Sequence, residues 1–223
     1  MAEIQIESPW HTVNMKLYLS SSGLGNQPAE LLELVGRPGR AGLVFNAQDM
    51  REDQRLASYD EESGGLAALG FQCEELDLRT YFQDFTGLCL RMSRLDLIWV
   101  IGGNTFVVAR AMSQARFGEA IRDPLTKDQI VYGGYSAGAC VVGPDLNGCH
   151  LMDTPGELPI GYDPTGTATT LELLPWRIIP HWRSDHEEAP RAELAVEHLL
   201  NVGLPFQTLR DGATLVVDTS DHE

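Results

Sequence analysis

The chain has 223 residues, 43% of them apolar, and its 32 acidic against 16 basic side chains give a formal net charge of −16. That length suits one well-packed α/β domain and is short for two, while the charge leaves no basic stripe to meet nucleic-acid phosphates. No apolar run reaches the roughly 20 residues that a spanning helix needs, and no secretory signal is visible, so neither a membrane nor a nucleic acid is an expected partner.

In chain order, residues 1–14 are polar and mixed and read as a leader or extension outside the fold; residues 15–223 read as a single domain. Leu17-Tyr18-Leu19 is a short strand that closes on a turn-rich loop through Gly25-Asn26. Pro28 opens a helix over Ala29 to Val35, and Gly42 to Ala47 is a second buried strand. A polar stretch from Asp49 to Glu62 leads into the end of a helix stopped by Gly70. Phe71 to Leu76 forms a third strand, and a helix lies somewhere between Tyr81 and Arg94. Leu97 to Ile101 is apolar without interruption, the pattern of a strand buried on both faces of a parallel sheet. It runs into Gly102-Gly103-Asn104-Thr105-Phe106 and a helix over Val107 to Gln114.

Ile130-Val131-Tyr132 is the next strand, and a short helix follows Ser136. Residues 146–170 are irregular and rich in glycine and proline, a long functional loop with room for a small hairpin. Ile178-Ile179-Pro180 ends another strand, Ala189 to Val202 has helical spacing with Gly203 as its stop, and Leu209 to Val217 reads as a terminal hairpin around Asp211-Gly212. The alternation predicts a doubly wound, mostly parallel α/β sheet. Four cysteines without C-x-x-C spacing favour free thiols in a reducing, cytoplasmic compartment. No histidine–cysteine cluster has convincing metal spacing, although His181 and His186 lie five apart. The acidity suits a monomer or homodimer kept in solution by self-repulsion.

Gly134-Tyr135-Ser136-Ala137-Gly138 fits the G-x-S-x-G nucleophile elbow, a sharp strand-to-helix turn that exposes a serine hydroxyl. The flanking glycines are there because positions two before and two after the serine crowd each other. A serine needs a base, and His181 follows a strand end as Ser136 does. Asp145, Asp153, Glu157, Asp163 and Glu172 lie between the two, and spacing does not choose an acid among them. Acyl transfer also needs donors for the oxyanion. The N–H of Ala137 is one source and Gly102-Gly103 the other; the glycine pair could instead cradle a phosphate.

Four segments carry a family resemblance: Met15 to Ser21 with Gly25-Asn26, Gly102 to Phe106, Gly134 to Ala139, and Pro180-His181-Trp182. Together they resemble the dipeptidase E family of serine peptidases, related to the cyanophycinases. The resemblance implies a fold like that of class I glutamine amidotransferases, of flavodoxin-like type. It implies Ser136 as nucleophile, His181 as base, and Gly103 with Ala137 as oxyanion donors. The family's acid precedes the histidine, which selects Glu157, with Asp153 as runner-up. Arg191 resembles an arginine that holds the carboxylate of an amino-terminal aspartate; Arg183 and Asn104 are further substrate-binding candidates. The implied activity is hydrolysis of short peptides beginning with aspartate, without cofactor or metal. The alternatives are a cyanophycinase-like or otherwise specific exopeptidase, and a ligand-binding relative without catalysis.

Overall fold

The computed structural model describes residues 14–219. The apolar runs become strands and the intervening periodic stretches become helices. In order these are β1 (Lys16–Ser20), α1 (Pro28–Val35), β2 (Arg40–Val44), α2 (Glu52–Ala68), β3 (Gln72–Glu75), α3 (Phe85–Met92), β4 (Leu97–Val100), α4 (Thr105–Gln114), α5 (Phe117–Thr126), β5 (Val131–Tyr135), α6 (Ala137–Cys140), β6 (Arg177–Ile179), α7 (Ala189–Val202), β7 (Phe206–Thr208) and β8 (Thr214–Asp218). Six strands form one sheet in the order β3-β2-β4-β5-β1-β8, and β6 and β7 pair separately. All neighbours in the large sheet are parallel except β1 and β8.

Strand alternation divides the core between the two faces of the sheet. Leu17, Leu19, Ile98, Val100 and Tyr132 pack with the buried residues of α3, α4 and α5. Tyr18, Leu43, Trp99 and Val131 face the other way, against Leu31 and Leu34 of α1 and Leu66 of α2. β4, β5 and β1 are adjacent, with Val100 beside Gly134 and Ser20 beside Tyr135. Their carboxyl ends therefore open side by side, where a doubly wound sheet forms its sites.

Three expectations change. The Asp211-Gly212 turn does not close a hairpin. β7 pairs in parallel with β6, while β8 crosses to the far edge and pairs antiparallel with β1, from Lys16 opposite Asp218 to Ser20 opposite Thr214. The long loop holds no strand among the described residues; it is tied down from outside itself, by Tyr162 donating to Asp49 Oδ2 at 2.6 Å and by Asp163 N–H donating to Gln114 Oε1 at 3.0 Å. Helix α5, absent from the sequence reading, follows α4 after two residues, Ala115 and the left-handed Arg116 at φ 57°. Apart from Asn14, the leader lies outside the described residues.

Candidate active site

Three strand ends build the site. At the end of β5, Ser136 has φ 49° and ψ −114°, the strained geometry of an elbow. That conformation costs roughly 1–3 kcal/mol and persists only where its surroundings over-determine it. The glycines make it possible. A Cβ at Gly138 would overlap Val100 O, and one at Gly134 would sit 2.9 Å from Val100 O and 3.0 Å from Gly138 O. The Ser136 N–H is held by Ser20 O of the neighbouring strand at 3.2 Å.

β6 delivers His181, buried and with φ 59°. Its Nε2 lies 3.1 Å from Ser136 Oγ. Its Nδ1 lies 2.8 Å from Oδ1 of Asp211, which follows β7. The small parallel sheet explains the meeting, because Ile179 pairs with Thr208 and both chains leave it at the same end. Ser21, fully buried just beyond β1, ties the two together: its hydroxyl donates to Asp211 Oδ1 at 2.7 Å and accepts the His181 N–H at 2.8 Å.

Glu157 does not touch His181, contrary to expectation, and neither does Asp153. Glu157 Oε2 accepts from the Asn104 amide at 2.8 Å. Asp153 Oδ2 accepts the Thr105 N–H at 2.9 Å and the Thr105 hydroxyl at 2.6 Å, at the first turn of α4. Both carboxylates thus brace the entry to α4, where unpaired amides favour negative charge. Asp211 lies after the histidine in the chain, so a search confined to residues between serine and histidine misses it. The Asp-Gly pair also looked like an ordinary turn. The signal that could have found it is an acid directly beyond a strand end.

Charge at the site follows from burial and contact. Burial pushes the His181 pKa down; the Asp211 hydrogen bond opposes that shift and His186 adds to it, for a net lowering. For Asp211, burial acts upward, but the hydrogen bonds from Ser21 and His181 outweigh it and hold the carboxyl below its ordinary value. His181 therefore favours the neutral form and Asp211 the ionised one, the combination a base and its orienting acid require. His186 stacks on the His181 ring at 3.8 Å, with 9° between planes. His181, His186 and Glu188 offer ligand atoms within 4.8 Å of one another.

Gly102-Gly103 reaches the serine from β4: a Cβ on Gly102 would lie 3.1 Å from Ser136 Cβ. Gly103 has φ +139°, and a Cβ there would sit 2.6 Å from Ala47 O. Ala137 opens α6, so its N–H has no partner within the helix. Ala137 directly follows Ser136 and Gly103 directly follows Gly102, the positions from which the expected oxyanion donors would act. A cavity of about 160 Å³ adjoins Gly103, lined also by Gln48, Asp153, Glu188 and Arg191 among others. Asn104 also lines it, but its side-chain oxygen caps α4 through Phe106 and Val107, and its amide is committed to Glu157 and Thr154. Arg183 points elsewhere, stacked over Trp182 at 4.3 Å and paired with Glu193 at 3.3 Å. Of the three substrate-binding candidates, Arg191 alone offers a charge to the cavity.

The sequence model of Peptidase family S51 matches residues 30–223. A Drosophila melanogaster protein named "Probable alpha-aspartyl dipeptidase" is 32% identical over 125 residues, 54% of this chain and 49% of its own. A protein of Haemophilus influenzae (strain PittGG) named "Peptidase E" is 33% identical over 113 residues, 49% of this chain and 44% of its own. These matches span about half the length of those relatives. A crystal structure from Listeria monocytogenes EGD-e, provisionally assigned as peptidase E, superposes with a TM-score of 0.75 at 19% identity, covering 93% of this chain and 96% of that one. It shares the α/β fold with its mostly parallel sheet.

Proposed function

The chain belongs to peptidase family S51, and from that membership together with the site's geometry we propose that it is a serine dipeptidase acting on short peptides with an amino-terminal aspartate. One observation carries the proposal: the continuous contact from Ser136 Oγ through His181 to Asp211, with the serine on a strained elbow. In this reading His181 Nε2 takes the serine proton as Oγ attacks the scissile carbonyl. Asp211 holds the Nδ1–H tautomer and stabilises the imidazolium. The Gly103 and Ala137 N–H groups receive the oxyanion, an arrangement in which losing one donor costs about 3–4 kcal/mol. His181 then protonates the leaving amine, the peptide C–N bond breaks, and an ester to Ser136 remains. Water, deprotonated by His181, releases the aspartate and restores the serine.

Selectivity is assigned to Arg191, which lines the cavity with Gly103 and whose guanidinium donates to Met152 O at 3.3 Å. An arginine–carboxylate pair is directional and charge-assisted, which suits an aspartyl side chain. The names of the fly and Haemophilus relatives point the same way. A cytoplasmic site of action fits four cysteines that are all free, and no described helix is long and apolar enough to cross a membrane.

The experiment is hydrolysis of Asp-Leu against Ala-Leu by wild type and Ser136→Ala. Cleavage of Asp-Leu alone, abolished by the substitution, is the expected result. Equal cleavage of both would keep the serine mechanism and discard the aspartyl preference. If neither is cleaved and Ser136 resists a serine-directed phosphonate, the chain is a ligand-binding member of the family instead.

A further inference from the structure

Glu188 presents a carboxylate to the cavity that none of the hydrolytic steps uses. Its Oε2 lies 3.7 Å from His181 Nε2, the nitrogen that Ser136 Oγ approaches at 3.1 Å. A substituent next to an acyl carbon on Ser136 therefore falls within its reach. Glu188 sits at the N-cap of α7, yet its side chain makes no capping hydrogen bond. Burial and the neighbouring Asp153 charge raise its pKa, against the opposing influence of His186 and Arg191. Gln48 also lines the cavity; its Oε1 is buried without a hydrogen-bond partner, while the Nε2 of that amide donates to Gly102 O at 3.4 Å. An anionic oxygen and an idle amide acceptor on one small space call for a cationic donor. A primary ammonium supplies three N–H groups and one positive charge.

We propose that Glu188 receives the α-ammonium of the substrate's first residue, with Gln48 Oε1 as a second acceptor and Asp153 adding negative charge behind them. This rests on the dipeptidase reading and deepens it, by naming what makes the enzyme act from the chain end. The cavity then carries both signs, Arg191 for the side-chain carboxylate and Glu188 for the ammonium, and an amino-terminal aspartate bears both. An internal aspartate offers an uncharged amide at that place. It would leave a half-buried carboxylate unpaired, which is the costly outcome for any charge-assisted contact. At about 160 Å³ the space takes one such residue.

The test compares Asp-Leu with N-succinyl-leucine, which has the same acyl chain and side-chain carboxylate but no amine. Each is assayed with wild type, Glu188→Gln and Glu188→Asp. Wild type should prefer Asp-Leu by about a hundredfold or more in kcat/KM, as charge-assisted hydrogen bonds of this kind allow. Glu188→Gln should lose roughly tenfold to a hundredfold on Asp-Leu, mainly through KM, and change little on N-succinyl-leucine. Glu188→Asp should recover part of the preference. The inference is overturned if wild type cleaves both substrates equally, while the dipeptidase reading survives that result. It is also overturned if Glu188→Gln lowers both rates by one factor, because the carboxylate would then be acting on His181. Cleavage of neither substrate by wild type removes the dipeptidase reading and this inference with it.

Discussion

Ser21 couples the positions of Asp211 and His181, since one hydroxyl donates to the first and accepts from the backbone of the second. Ser21→Ala leaves a buried N–H without its acceptor and takes a hydrogen bond from a carboxylate. A loss of about tenfold to a hundredfold in kcat, with KM nearly unchanged, is expected; an unchanged kcat would show that Asp211 is held well enough by its other contacts. His186 acts on the same imidazole through charge. His181 must be neutral to accept the serine proton, and its lowered pKa places the acid limb of kcat/KM below about pH 6.5, the ordinary imidazole value. His186→Phe keeps a flat ring on His181 and removes the like charge, so that limb should move to higher pH. A pH profile that stays put or moves down would contradict the electrostatic role. Ser136 and His181 were legible in the sequence because each follows an apolar strand and each is chemically singular there. Asp211 was not, because its contact depends on β6 and β7 lying side by side, thirty residues of chain apart.

At the level of elements, the elbow is tightly packed, with β5 and α6 pressed against β4. Gly138→Ala forces a methyl group into Val100 O and should destabilise the protein by about 1–3 kcal/mol in urea unfolding. Gly64 lies within α2, and a Cβ there would meet nothing within 4 Å. Gly64→Ala should therefore stabilise by about 0.5–1 kcal/mol. Equal effects from the two substitutions would mean that the elbow relaxes more easily than its geometry suggests. Most elements were legible because their periodicity is local: α7 runs over Ala189–Val202 as its spacing predicts. The failures are non-local. Helix α5 buries Phe117, Ala120, Ile121 and Leu125 at helical spacing, but Pro124 and the join to α4 obscure it. β8 looks like half of a hairpin until β1, two hundred residues away in sequence, competes for it and wins.

For the molecule as described, the first and last strands among the described residues pair at one edge, and both bear on the site: β1 brings Ser21, and Asp211 lies just before β8. The net charge of −16 acts on the entire fold. Screening that self-repulsion should raise Tm as salt increases from about 10 mM to 0.5 M, where the Debye length falls from roughly 30 Å to a few ångström. A Tm that falls with salt would mean that local ion pairs, such as Arg55 with Asp49 and Glu75, outweigh the repulsion. Fold class and family were both readable from strand–helix alternation and four short segments, since these are properties of the backbone plan. The carboxylate in contact with His181 was not, because the plan admits one either before or after the histidine. The measurement that bears most directly on the account is kcat/KM for Asp-Leu in Asp211→Asn beside Glu157→Gln. If Asp211 orients the base, Asp211→Asn loses on the order of 10³–10⁴-fold and Glu157→Gln loses less than about tenfold, the scale of one neutral hydrogen bond. A severe loss in Glu157→Gln with Asp211→Asn nearly intact would contradict the triad described by the geometry.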